Sequence, residues 1–397
     1  MRPRLWHPPV ALSEAEQKIV TRIKRAKLFI FRRQVRHEIF DEAFQAELGA
    51  IYADKAKGHP PIVPAQLCLR LILQAYTGAS DDEAIEALQM DRRWQLVLDC
   101  LDNEEAPLGK GTLVEFRSAL ISQGLDRRLV ERTIELSHRR SGVSPRSLRA
   151  ALDSSPIWGA GKVEDTYNLL GHALRKALSV IARQQGRGLT EIATEAGATL
   201  GSGSSVKAAL DLNWDDPEEQ QDALVLTLQA LTQAEAWLAG QSLEQTPQTA
   251  QSVTDALSIA HQVQAQDVVS TATGGVKLRQ GVAKNRRISV EEGEMRHGRK
   301  SRSTLVNGYK RHLLHDLDSG LIPVVGMTPA NAPSASVTDA IEPDLQAQKL
   351  TLSELHIDRA YLSSNLVKAR TADAGDLLQS LERSTSAQPV CQNRLHP

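Results

Sequence analysis

The sequence predicts a mixed α/β domain that is interrupted by an all-helical insertion and preceded by an all-α domain. Two observations lead to this fold class. Residues 148–153 and 353–358 each read as an apolar strand that ends in an aspartate, and about two hundred residues separate them. Apolar residues at helical spacing dominate the region before residue 140 and the region 167–268. Both strands can therefore belong to one sheet, with helices inserted between them.

Length and charge are consistent with several domains and an anionic partner. The chain has 397 residues, enough for two or three domains, and its net charge is −1. The charge is segregated: residues 1–40 are rich in Lys and Arg, and residues 277–311 hold eleven Lys or Arg against three acids. Each basic region predicts a contact with a polyanion, with a solvated surface as the alternative.

Cysteine content and hydropathy predict a soluble cytoplasmic protein. Cys68, Cys100 and Cys391 lack the spacing of metal ligands, and their odd number suits a reducing compartment. No stretch has the length of a membrane span, and the basic N-terminus is not followed by an apolar signal segment.

The spacing of apolar residues over the N-terminal 140 residues predicts helices. Residues 1–42 form basic N-terminal helices, with one or two helices expected over residues 10–47, and residues 43–140 form a separate helical domain. In that domain Pro64 starts a helix that Gly78 ends, and Ser80 with Glu83 forms a capping box that opens the next helix.

A further helix is predicted from Thr112. The first two helices and their tight Gly turn resemble a helix-turn-helix unit, which favours DNA binding, although small bundles of other function share this pattern.

The α/β domain is predicted in two parts. Residues 146–166 supply its first strand, and residues 167–268 form the helical insertion. Residues 269–373 supply the rest, with strand character resuming near Arg302 and a strand over 321–327.

Asp153 and Asp358 are the candidate catalytic and metal-binding residues. Carboxylates that converge from adjacent strands can hold two divalent metal ions and cleave phosphodiesters. Hard oxygen ligands suit Mg²⁺ or Mn²⁺. For either residue alone, a helix cap or a turn former is the alternative interpretation.

Several motifs, in order along the chain, resemble DDE transposases of bacterial insertion sequences. The resemblance runs from about residue 10 to Asp373, and residues 43–122 look like the InsH-type N-terminal domain of that family. The motifs are Leu152-Asp153-Ser154-Ser155-Pro156-Ile157, Arg296-His297-Gly298-Arg299-Lys300, Asn307-Gly308-Tyr309-Lys310-Arg311-His312 and His356-Ile357-Asp358-Arg359-Ala360-Tyr361.

This resemblance implies an RNase H-like catalytic fold in which Asp153 is the first acidic residue and Asp358 the second. It also implies double-stranded DNA as the partner, bound at the inverted repeats that end the element, and a homodimer on that DNA. Tyr309, Lys310 and Arg311 are implied contacts to the DNA backbone, and a solvated strand edge is the alternative for each of them. Further candidate DNA-binding residues are Arg299, Lys300 and Arg117.

The third acidic residue of the family has no clear counterpart. Glu382 is the only glutamate after Asp358, and its surroundings do not resemble the family motif. We interpret residues 374–397 as an aberrant tail produced by a frameshift or truncation, and expect this chain to lack catalysis. Two alternatives are a non-catalytic DNA-binding protein that competes at element ends and a general metal-dependent nuclease.

Overall fold

The computed structural model describes residues 2–53, 61–101, 109–141, 147–210, 212–240, 247–272, 274–299 and 303–372. The chain divides into two compact units, Met1–Arg146 and Ser147–Pro397.

The described part of the first unit is helical. Its helices are α1 (Glu14–Arg22), α2 (Lys27–Ile39), α3 (Glu42–Gly49), α4 (Pro64–Thr77), α5 (Asp81–Met90), α6 (Arg92–Leu98), α7 (Lys110–Ser122) and α8 (Leu125–Ser141). Aromatic and aliphatic side chains from these helices form one core, in which Phe29, Phe44, Leu48 and Trp94 are almost fully buried.

Local capping decides where these helices begin and end. Pro64 occupies the first turn of α4, and Gly78 ends that helix with a φ of 71°, which glycine adopts without strain. The Ser80 and Glu83 side chains accept from each other's backbone N–H at 3.3 and 2.7 Å, as the capping box predicts.

Two predictions for this unit were wrong in detail. Residues 10–47 form three helices rather than one or two, because Asp41 caps a new helix by accepting from Phe44 N. Helix α7 begins at Lys110 rather than Thr112, after Gly109 at its N-cap.

Two arginines of the N-terminal basic region are buried. Arg33 pairs with Glu16 at 2.6 Å, and Arg36 donates to the Leu96 and Val97 carbonyls at 3.0 and 2.8 Å. Burial, together with the nearby Arg33 charge, lowers the pKa of Arg36 to about 10. These two side chains stabilise the first unit and cannot contact a polyanion in this conformation.

The second unit holds a five-stranded mixed sheet. Its strands are β1 (Ser147–Trp158), β4 (Arg296–Arg299), β5 (Leu305–Asp316), β6 (Val324–Pro329) and β7 (Thr351–Ile357), and a separate two-stranded sheet joins β2 (Val268–Ser270) to β3 (Val276–Leu278). Strand β5 is antiparallel to β1 on one side and to β4 and β6 on the other. Strand β7 is parallel to β1. This part of the molecule is a mixed α/β layer, as predicted.

Alternation along the strands produces the core of this sheet. Leu152, Leu314 and Val324 lie on one face and pack against Ile341 and Leu345 of α14 (Thr338–Ala347). The last helix is α15 (Asn365–Ala372), and Ser364 caps it by accepting from Val367 N.

Up to Asp267, the regular elements in the described residues of the insertion are helices, and Val268 already belongs to β2. The insertion comprises α9 (Thr166–Gln185), α10 (Leu189–Glu195), α11 (Val206–Ala209), α12 (Pro217–Gly240) and α13 (Pro247–Asp267). Its two ends meet where Thr166 Oγ1 donates to Asp267 Oδ2 at 2.8 Å, and Arg286 also binds Asp267. The insertion therefore separates β1 from the later strands in sequence without separating them in space.

The strand predictions needed two corrections. Strand structure resumes at Val268, well before Arg302. The strands β2, β3 and β4 were not predicted because they have only three or four residues each. Asp153 lies in the middle of β1 rather than at its end, since β1 continues to Trp158 along β5.

Among the described residues, none of the helices combines the length and the apolar content that crossing a membrane requires.

Candidate active site

The register of β1 and β7 brings Asp153 and Asp358 side by side. Leu152 opposite Ile357 is the last pair of this parallel ladder, and each aspartate is the next residue of its strand. β7 ends there because Asp358 begins a short 3₁₀ turn over Arg359–Tyr361. Two carboxylates from distant parts of the sequence thus reach the same edge of the ladder.

Both aspartates line one cavity of about 430 Å³. Its wall combines carboxylates, hydroxyls and cationic side chains, which suits a ligand that carries both a metal ion and phosphate groups. The lining residues include Asp153, Asp358, Ser154, Ser155, Arg299, Tyr309 and Lys310.

Local hydrogen bonds orient the two carboxylates. Asp358 Oδ1 accepts from Ala360 N at 2.9 Å, and Asp153 Oδ1 accepts from Ser154 N at 2.7 Å. Asp358 is therefore a cap, as the alternative interpretation of the sequence held. That role is compatible with metal binding, because a carboxylate offers two oxygens and about four lone-pair sites.

Lys310 and Tyr309 are held at the cavity by neighbouring groups. Lys310 Nζ donates to Ala332 O at 2.7 Å. Partial burial lowers the pKa of Lys310, and the Asp358 charge opposes this effect. Burial, and then a hydrogen bond with Glu292, raises the pKa of Tyr309, so the phenol stays protonated at neutral pH.

The other residues predicted to contact DNA lie in different surroundings. Arg311 is exposed and donates to Ser155 Oγ at 3.1 and 3.3 Å, next to the cavity. Arg299 lines the cavity, and Lys300 lies outside the described residues. Arg117 belongs to the first unit and pairs with Asp81 at 2.5 Å.

A buried polar network beneath the cavity was missed by the sequence analysis. His312 on β5 contacts Tyr361 Oη through Nδ1 at 2.7 Å and Thr328 Oγ1 through Nε2 at 3.0 Å. Ser154, beside Asp153, also hydrogen-bonds Tyr361. Both His312 and Tyr361 stand in the motifs quoted above, but strand alternation alone does not indicate that they meet.

The donor set fits a hard divalent cation only in part. Asp153 and Asp358 supply oxygen ligands of the kind that Mg²⁺ and Mn²⁺ prefer. Within the described residues, however, no group of three or more His, Cys, Asp or Glu side chains is placed to hold a metal ion. Glu382 lies outside the described residues.

Comparison with known proteins identifies the N-terminal region. Residues 21–119 match a family model described as Transposase domain (DUF772). No curated protein and no solved structure matches the chain. The match supports the resemblance to transposases of insertion sequences, but it ends before β1 and covers neither the two aspartates nor the four quoted motifs. Residues 21–119 are therefore similar to a transposase domain, and this similarity supports a transposase of the insertion-sequence type.

Proposed function

We propose that this protein is a DDE-type transposase whose second unit is an RNase H-like domain. It would bind the terminal inverted repeats of an insertion sequence as a homodimer. The reaction of its class acts on the phosphodiester bonds at the ends of the element, and we expect this chain to lack that catalysis. The observation that carries the proposal is the register that places Asp153 and Asp358 together at one cavity, in a chain with a transposase domain.

Each residue of the cavity has a distinct role in this proposal. Asp153 and Asp358 would hold Mg²⁺ or Mn²⁺, which supplies Lewis-acid stabilisation of the phosphate and an activated nucleophile. Lys310 and Arg311 place positive charge beside the carboxylates, where they would contact the DNA backbone. Arg117 would contact DNA from the first unit, in exchange for its pair with Asp81.

A metal-binding experiment tests the carboxylate pair directly. We expect Asp153→Asn and Asp358→Asn each to lower the affinity of the full chain for Mn²⁺ by at least about tenfold, measured by calorimetric titration. Asp255→Asn, which changes an exposed carboxylate on α13, should leave the affinity unchanged. Equal Mn²⁺ affinity in all four proteins would refute the proposed site.

The described cavity also supports a second function, a non-catalytic DNA-binding protein. Two carboxylates are present where the proposed reaction needs three, and misplacement of reacting groups can cost about a hundredfold in rate. We expect this chain to bind an inverted-repeat duplex without nicking it in Mg²⁺. Specific nicking at the element ends would show an active transposase, and nicking without sequence preference would show a general nuclease.

A further inference from the structure

A second cavity of the second unit lies between the end of the sheet and the helical insertion. Its volume is about 580 Å³, and four chain segments line it: the loop after β1, one face of α9, the loop before α11 at Ser204, and the loop before β4. The lining residues with ionisable side chains are Lys162, Glu164, His172, Arg175, Lys176, Arg183 and Glu291. We call this feature the basic groove.

Helical periodicity aligns the basic side chains and His172 along one side of the basic groove. His172, Arg175, Lys176 and Arg183 are spaced so that they fall on one face of α9, whereas the apolar face of this helix is buried in the insertion core. Eleven residues of helix correspond to about 16 Å. One strand of duplex DNA presents a phosphate about every 3.4 Å along the helix axis, so this row can face several phosphates.

The floor of the basic groove is fixed by internal hydrogen bonds. Arg175 donates to the Ser202 and Gly203 carbonyls at 2.9 and 2.7 Å. His172 lies between two acceptors, Glu164 Oε1 at 2.5 Å and Ser204 O at 2.7 Å.

The rim of the basic groove is accessible. The Lys162 side chain is 70% exposed and contacts the buried Glu164 at 3.1 Å, and Arg183 is also exposed. Lys176 pairs at 2.7 Å with Glu291, whose side chain is 73% exposed. Surface pairs of this kind are weak, so a phosphate can replace Glu291 at little cost. Four Lys or Arg residues face two carboxylates in the groove, which leaves an excess of positive charge.

Contacts connect the basic groove to the candidate active site. Gly161, in the loop that lines the groove, donates its N–H to Glu292 Oε2 at 2.6 Å. Glu292 also hydrogen-bonds Tyr309, which lines the cavity of Asp153 and Asp358. DNA held in the groove would therefore lie next to the loop that follows β1. Lys162 in this loop is nine residues after Asp153.

We propose that the basic groove binds the phosphate backbone of duplex DNA and guides it toward Asp153 and Asp358. The proposal rests on the proposed function for the identity of the ligand, and it adds a contact surface in the insertion. Backbone contacts of this kind fix the position of the duplex without reading its sequence.

The test measures duplex binding by the full chain as a function of salt, using fluorescence anisotropy. We expect the double variant Lys162→Gln/Arg183→Gln to weaken binding by about tenfold or more at low salt. The slope of log affinity against log salt should become less steep by about one for each lost contact. Arg187→Gln is the matched control, because this insertion arginine lies outside the groove and already pairs with Glu191 and Glu195.

A variant that is expected to raise duplex affinity distinguishes an effect on DNA binding from misfolding. Glu291→Gln removes the carboxylate that competes for Lys176, and we expect it to raise duplex affinity severalfold. Loss of fold cannot produce such a gain, and circular dichroism melts check the fold of each variant.

The outcomes distinguish this proposal from the proposed function. If the wild-type chain binds duplex DNA but neither the double variant nor Glu291→Gln changes affinity or salt slope, the basic groove is not a DNA surface while the transposase function stands. If the wild-type chain fails to bind duplex DNA, both proposals are overturned. Inorganic phosphate at the same ionic strength should not displace the duplex, and displacement would indicate a small-anion site instead.

Discussion

His312 shows how a single buried residue can hold several strands together. Its ring is completely buried, and it contacts Tyr361 and Thr328 while β5 brings it opposite Ser154. The network therefore links the strand of Asp153, the neighbouring strands β5 and β6, and the turn that Asp358 begins. Every polar atom of the imidazole has a partner, which makes its burial tolerable.

The titration of His312 predicts a pH dependence of stability. Burial, with a smaller effect of Lys310, lowers its pKa to about 4, while an unfolded chain has a histidine pKa of about 6.5. Between these values the unfolded state binds more protons, so stability falls as the pH falls. We expect the free energy of unfolding to drop by about 2 kcal/mol between pH 7 and pH 5 from this residue.

Urea unfolding of wild type and His312→Gln at both pH values measures this effect. The variant should lack that part of the pH dependence, because glutamine can satisfy both partners without titrating. His261→Gln, an exposed histidine paired with Glu235, should retain the wild-type dependence. Identical pH profiles for His312→Gln and wild type would contradict the assignment.

At the scale of elements, Gly308 determines how β1 and β5 meet. It pairs with Trp158 at the end of the β1–β5 ladder and has a φ of 150°. A Cβ at this position would lie 2.3 Å from Ile157 O and 2.4 Å from Gly159 N. Only glycine permits this approach, which explains its place beside Tyr309 and Lys310 in the quoted motif.

We expect Gly308→Ala to destabilise the second unit by at least about 2 kcal/mol, through steric overlap and an unfavourable backbone conformation. The shift of the thermal unfolding midpoint measures this cost. Gly203→Ala is the control, because the nearest atom to its added Cβ is 3.7 Å away. An unchanged midpoint for Gly308→Ala would show that the two strands can separate locally without loss of stability.

At the scale of the whole molecule, the chain builds separate hydrophobic cores. One core lies in the first unit, and the second unit has one core in the insertion and another under the sheet. The charges are arranged unit by unit as well: Arg33 and Arg36 serve the interior of the first unit, whereas the cations of the basic groove line a surface.

Replacing a buried leucine by alanine should destabilise mainly the unit that contains it. Leu48 and Leu314 are fully buried in the first unit and in the sheet core, respectively. We expect Leu48→Ala and Leu314→Ala each to cost about 2–5 kcal/mol. Amide hydrogen exchange, followed by mass spectrometry, should show faster exchange in the helices of the first unit for Leu48→Ala and in the sheet strands for Leu314→Ala. Equal acceleration in both units for either variant would contradict separate cores.

Much of the fold follows from local sequence patterns. The capping box at Ser80, the Gly78 turn and the Pro64 helix start are each encoded within a few residues, because caps act over one or two turns. The strands β2 to β4 escaped prediction because three or four residues are too few to establish alternation.

The sequence by itself determined that this protein has helical and α/β regions, a transposase-like N-terminal domain and two candidate aspartates that each follow a run of strand-forming residues. Only the tertiary structure decided that Leu152 pairs with Ile357, that Arg33 and Arg36 are buried, and that the basic groove exists. The physical reason is that register and burial depend on contacts between residues far apart in the chain, which no local pattern specifies.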